Sequence, residues 1–153
     1  YFINVVEIIE KHIMLKVHHD FSSLFEKWFN MLMENENFNV KLDEEFTPLI
    51  NQNGHDIDFL YLSGGEKTAT ALAYRLALNQ VINNLMSGIR TKDLLILDEP
   101  TDGFSDDQLD RVRNVLSELN LKQLILVSHE PKIESFVDNV LRLNKEQHVT
   151  KII

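Results

Sequence analysis

Three short stretches carry residue types able to handle phosphate: Ser63-Gly64-Gly65-Glu66, Asp98-Glu99 and Ser128-His129. Ser63 and Glu66 form S-x-x-E ahead of a run of good helix formers, the pattern of a capping box. Gly64 and Gly65 lower the stability of the helix they open, because glycine loses the most backbone freedom on folding. A bare first turn instead leaves backbone N–H groups open to a close ligand, and helix starts attract anions. The stretch therefore predicts an anion site built from those N–H groups and the Ser63 hydroxyl. Asp98 and Glu99 end an apolar run and precede Pro100. A buried aspartate there suits Mg²⁺, directly or through water, and a glutamate one residue on can take a proton from water. For the two acids alone, a solvated acidic turn is the ordinary alternative. His129 can donate to a phosphoryl oxygen or hold an attacking water, with a structural histidine as the plain alternative. His12, His18 and His19 lie on a helix without a matched carboxylate, which reads as a solvated face and not a metal site.

The elements that must place these residues follow from periodicity. Residues 1 to about 36 predict one long amphipathic helix, with Phe2, Val6, Ile9 and Ile13, then Val17, Phe21, Leu24, Trp28 and Met31, in heptad spacing broken by a stutter. A core-facing helix of period 3.6 would give much the same list. The alternation around Phe38, Val40 and Leu42, the stretch "TPLI", the turn "NQNG" and the stretch "DIDFLYL" predict an antiparallel meander. A helix is expected from Ser63 to about Leu85. Leu94 to Leu97 reads as a strand buried on both faces. Asp106 to Leu119 predicts a helix, "QLILVSHE" a second buried strand and Pro131 to Val137 a short helix. "NVLRLN" and "HVTKII" predict two closing strands around "KEQ". Strand, helix, strand, helix, strand in this order implies a parallel α/β sheet with helices on its faces. In such a sheet ligands bind beyond the carboxyl ends of the strands, where Asp98, Glu99 and His129 fall.

Composition narrows the field further. The 153 residues allow one domain with a real core, and no apolar run approaches the roughly 20 residues of a membrane helix. No signal-peptide pattern is present, and the absence of cysteine excludes disulfides and thiolate metal sites. A net charge of −9 makes the chain as a whole a poor nucleic-acid binder, so any basic surface must be local or come from another chain. Tyr1 lies inside the helical pattern, which leads us to expect part of a longer protein. None of the five glycines precedes a lysine, so the phosphate cradle G-x-x-x-x-G-K-[ST] is missing. The chain holds some parts of a nucleotide site without its cradle.

Together these stretches resemble the ATP-binding-cassette superfamily. "LSGGE" at Leu62–Glu66 is similar to its signature motif, "LLILDEP" at Leu94–Pro100 to its Walker B strand, "TDGFS" to its D-loop and "SH" at 128–129 to its switch histidine. With a long helix upstream and "DEPT" after the strand, the chain resembles the coiled-coil ATPase of double-strand-break repair, the Rad-fifty/SbcC family, in its archaeal type. The resemblance implies the C-terminal lobe of an ABC-type P-loop ATPase (residues 37–153), preceded by a coiled-coil base helix (residues 1–36). It further implies ATP and Mg²⁺ as cofactors, with zinc at the coil apex of a full-length protein. Asp98 would position Mg²⁺, Glu99 would activate water and His129 would sense the γ-phosphate. Ser63, Gly64, Gly65 and Glu66 would meet the nucleotide of a second head. Implied partners are the P-loop lobe of the same protein, a second head, DNA, and an Mre-eleven/SbcD-type nuclease near the coil base, within Tyr1 to Asn35. The expected location is cytoplasmic or chromosome-associated, nuclear in a eukaryote, with no membrane partner. The family's D-loop usually has aspartate where this chain has Ser105, and Asp102 is unusual there. Two other readings share the motifs: an SMC-type chromosome-organising head, and a transporter ATPase fragment.

Overall fold

The computed structural model describes residues 2–33, 37–85, 93–146 and 149–153. Helix α1 spans Phe2–Met33. Strands β1 (Phe38–Leu42), β2 (Pro48–Gln52) and β3 (His55–Ile57) form an antiparallel meander in that order. A 3₁₀ turn at Phe59–Tyr61 leads into α2, Gly64–Leu85. Strand β4 (Leu94–Asp98), helix α3 (Asp106–Glu118) and strand β5 (Gln123–Val127) make a right-sized strand–helix–strand unit, and β4 pairs with β5 in parallel. A 3₁₀ segment at Pro131–Phe136 and the antiparallel pair β6 (Leu143–Glu146) and β7 (Val149–Ile152) finish the chain. The expected element order is observed, but the third strand does not join the parallel sheet: among the described residues only β4 and β5 are parallel, and β6 pairs with β7 in a separate antiparallel hairpin. The sixth strand starts later than "NVLRLN" suggests, and part of the "KEQ" turn lies outside the described residues.

The long helix behaves as two different objects. Its second half buries Phe21, Phe25, Trp28, Phe29, Leu32 and Met33. These face the core that α2 lines with Ala69, Leu72, Ala73, Leu76 and Ala77, so large rings meet small side chains and the two helices approach closely. Phe21 and Phe25 also meet the Tyr74 ring edge-on, at centroid separations of 4.8 and 5.8 Å. The Trp28 indole N–H donates to Gln80 Oε1 at 2.9 Å, so the buried ring keeps its polar atom satisfied. The first half of α1 is exposed, apolar residues included: Phe2, Val6, Ile9 and Ile13 all face solvent. The heptad list therefore matches only part of the buried face, since Phe25, Phe29 and Leu32 fall outside it.

Asn53 and Gly54 make the two-residue hairpin turn between β2 and β3, with φ values of 52° and 84°. Both central residues lie in the left-handed region, as a type I′ turn requires. His18 Nε2 donates to the Asp43 carbonyl, 2.7 Å away, and the ring lies edge-on to Phe46. It joins α1 to the β1–β2 loop and is structural. Among the described residues no group of three potential metal ligands exists, and His12 and His19 are exposed.

One expectation about the sheet is corrected. Leu94–Leu97 predicts a strand covered on both faces, but cover is found on one. Leu95 and Leu97 join the core with residues of α2 and α3. Ile96 on the other face is 60% exposed, and Ile125 and Val127 of β5 share its exposure. Among the described residues no helix covers the other face, so the apolar run marks a second face left open there.

Candidate nucleotide site

The carboxyl ends of β4 and β5 bring together two residues that the sequence places thirty positions apart. The register pairs Asp98 with Val127, and the Glu99 N–H continues the ladder by donating to the Val127 carbonyl at 2.9 Å. Glu99 then leaves the strand with φ of 44°. A side-chain-bearing residue in that left-handed region costs about 1–3 kcal/mol. The strain turns the Glu99 carboxylate toward β5, where Oε2 accepts from His129 Nδ1 at 2.9 Å. Glu130 lies behind the ring, 3.9 Å from Nε2. The imidazole pKa is raised above its ordinary value, first by the hydrogen bond to Glu99 and then by that carboxylate's charge, with smaller help from Glu130 and Asp102 and a small opposing effect of desolvation.

That raised value has a sign that can be checked. His129 stays protonated to higher pH than a free imidazole, and the charged pair is lost as pH rises through its pKa. In an NMR titration of the chain, His129 is expected to titrate above an ordinary histidine, and Glu99→Gln to bring it back down. Equal midpoints in the two proteins would dissolve the pair.

Asp98 is exposed at the strand end, not buried as the sequence suggests, and its side chain makes no hydrogen bond or ion pair among the described residues. The start of α2 is likewise half-finished. Glu66 Oε2 accepts from the Ser63 N–H at 2.7 Å, and Ser63 Oγ accepts from the Glu66 N–H at 3.4 Å, so the capping box read from the sequence is formed. The second bond is long, which leaves the hydroxyl weakly held. The N–H groups of Gly64 and Gly65 have no acceptor among the described residues.

The two glycines have different reasons to be bare. A Cβ on Gly64 would meet nothing within 4 Å, so that face is open to solvent. A Cβ on Gly65 would lie 2.6 Å from Gln108 Oε1 and 3.2 Å from the Gly103 carbonyl. Gly65 is small because the loop after Glu99 and the first turn of α3 rest upon it. Gln108 is fixed there by a second capping box: Ser105 Oγ accepts from the Gln108 N–H, and Gln108 Oε1 accepts from the Ser105 N–H. The sequence signal S-x-x-Q was available and unread. It also accounts for Ser105 itself, because serine and aspartate are interchangeable as helix N-caps. Residues 100–105 thus tie the acidic strand end to the start of α2.

No family model matches the chain. Curated relatives are clear. The chain is 32% identical over 116 residues to the DNA double-strand break repair Rad50 ATPase of Pyrococcus abyssi, a match spanning 74% of this chain and 12% of that protein. The Thermococcus kodakarensis Rad50 ATPase is 33% identical over 116 residues, with the same two shares. The chain therefore spans about an eighth of the length of these relatives. Among solved structures, an Smc head domain with coiled coil and joint from Pyrococcus yayanosii superposes with a TM-score of 0.77 at 18% identity, covering 99% of this chain and 30% of that one. A chain from work on ATP-driven dimerization and DNA-stimulated activation of SMC ATPases gives a TM-score of 0.72 at 19% identity, covering 94% of this chain and 88% of that one. Sequence and fold converge: the chain belongs to the Rad50 ATPase family and has the α/β fold of the SMC head domains.

Proposed function

We propose that this chain supplies the C-terminal half of a double-strand-break repair ATPase head. The contact between Glu99 and His129 carries the reading, because a general base and a hydrogen-bonding imidazole converge where α/β sheets bind ligands. On a nucleotide held by the P-loop lobe of the same protein, Glu99 would take a proton from the attacking water. His129 would steady that water or donate to the γ-phosphate. Asp98 would hold Mg²⁺, which takes only one or two protein carboxylates and keeps several waters, a demand that a lone exposed carboxylate fits. Bound there, the ion would neutralise phosphate charge. The unpaired N–H groups of Gly64 and Gly65, with the Ser63 hydroxyl, would grip the γ-phosphate of ATP on a second head, and Glu66 would hold Ser63 in place. ATP then joins two heads, and hydrolysis releases them by removing those contacts. DNA binding and a partner nuclease near the base of α1 belong to the same proposal.

The chain alone is expected to turn over no ATP, and turnover is expected once the P-loop lobe is added. Ordinary hydrolysis by the isolated chain would end the split-site reading. The solved structures named above favour a second reading, an SMC-type head with an architectural output. Recovering the proteins bound to the reconstituted head separates the two: a nuclease supports repair, a bridging subunit opposes it.

A further inference from the structure

The loop between Glu99 and α3 is held on two sides, and the sequence motifs do not account for either hold. On one side Thr68, on the second turn of α2, donates its hydroxyl to the Asp102 carbonyl at 2.7 Å. A helical threonine ordinarily turns that hydroxyl back to its own helix, as Thr70 does toward the Glu66 carbonyl. Thr68 reaches across to the loop instead. Beside it, Gly103 rests on Gly64 and Gly65, and the Gln108 amide covers Gly65. On the other side the loop's helix is tied to the end of α1: Gln108 Nε2 reaches Met33 Sδ at 3.9 Å, and Arg111 donates to the Met33 carbonyl at 3.1 Å.

We infer that Thr68 is a positioning residue: its hydroxyl fixes the Asp102–Ser105 loop on the first turns of α2. The open amides of Gly64 and Gly65 and the exposed loop beside them then reach a second head as one rigid surface. The inference rests on the reading of the α2 start as a grip for a neighbour's nucleotide. Without the Thr68 hydroxyl, the loop must be ordered at the moment of pairing, and the cost falls on ATP-dependent association instead of on the chemical step.

The test uses the head reconstituted with its P-loop lobe and the pair Thr68→Val and Thr68→Ser. Hydrogen exchange without nucleotide reads the loop, and the ATP dependence of pairing and turnover reads the surface. A neutral hydrogen bond is worth enough to expect roughly five-fold changes. Thr68→Val should speed exchange of the Phe104 amide, which donates to the Thr101 carbonyl, about five-fold and raise the ATP concentration for half-maximal pairing and the KM by a similar factor. The kcat should stay near wild type, and Thr68→Ser should restore all three. Unchanged loop exchange in Thr68→Val would show that the bond fixes nothing. Faster exchange with unaltered ATP dependence would remove the positioning role while sparing the head-pairing reading. Wild-type heads that never pair with ATP would overturn that reading and the positioning role together.

Discussion

In the reconstituted head, Glu99→Gln is expected to slow ATP hydrolysis by about 10²–10⁴, the range that general-base help supplies, and to leave ATP-driven pairing intact. The substitution keeps the size of the side chain and one acceptor for His129 Nδ1, so the turn at the end of β4 should survive. What it removes is the capacity to accept a proton from water. Because the grip proposed at Gly64 and Gly65 lies on a different element, binding and chemistry should separate: heads are expected to pair with ATP and stay paired. Single-turnover hydrolysis and sizing of the nucleotide-bound complex measure the two. Unchanged turnover would take Glu99 out of its role, and loss of pairing would mean that the strand end and the α2 start are not separable.

The second large effect is on stability, and it divides α1 in two. Phe25 is fully buried, and it touches Phe29 and Tyr74. Phe25→Ala should cost about 3–5 kcal/mol, the usual sum of lost transfer energy and residual cavity. That is a large share of the roughly 5–15 kcal/mol that holds a domain together. Ile9→Ala, on the exposed half of the same helix, should change the stability of the isolated chain by less than about 0.5 kcal/mol. Urea unfolding of both variants measures the difference. A similar loss from both would mean that the first half of α1 packs against something in the chain.

Much of the fold was legible because the elements differ in period. Alternation at Phe38, Val40 and Leu42 marked a strand with one buried face, and the burial observed there follows it. The capping box at Ser63 and Glu66 marked the start of α2 to within one residue. The motifs also put Glu99 and His129 at neighbouring strand ends. Their direct contact depends on the left-handed turn at Glu99, and glutamate carries no local signal for such a turn. Phe25, Phe29 and Leu32 escaped the heptad list because it followed one 4-3 seam through Leu24 and Met31, whereas the buried stripe of a core-facing helix is wider than such a seam and here includes Phe25, Phe29 and Leu32 beside Phe21 and Trp28. The smallness of Gly65 was assigned to an outside ligand alone, when half its reason is the loop lying on it. Sequence neighbours say little about a contact between residues 65 and 108.

The uncovered face of the β4–β5 pair has a practical outcome for handling the molecule. Ile96, Ile125 and Val127 form a greasy strip on a sheet of only two strands, whose outer backbone edges no other described strand occupies. Surfaces of this kind recruit extra strands and clump when crowded. Purified on its own, the chain should grow turbid with rising concentration, and a cell making it without a matching cover would lean on its chaperones to keep it in solution.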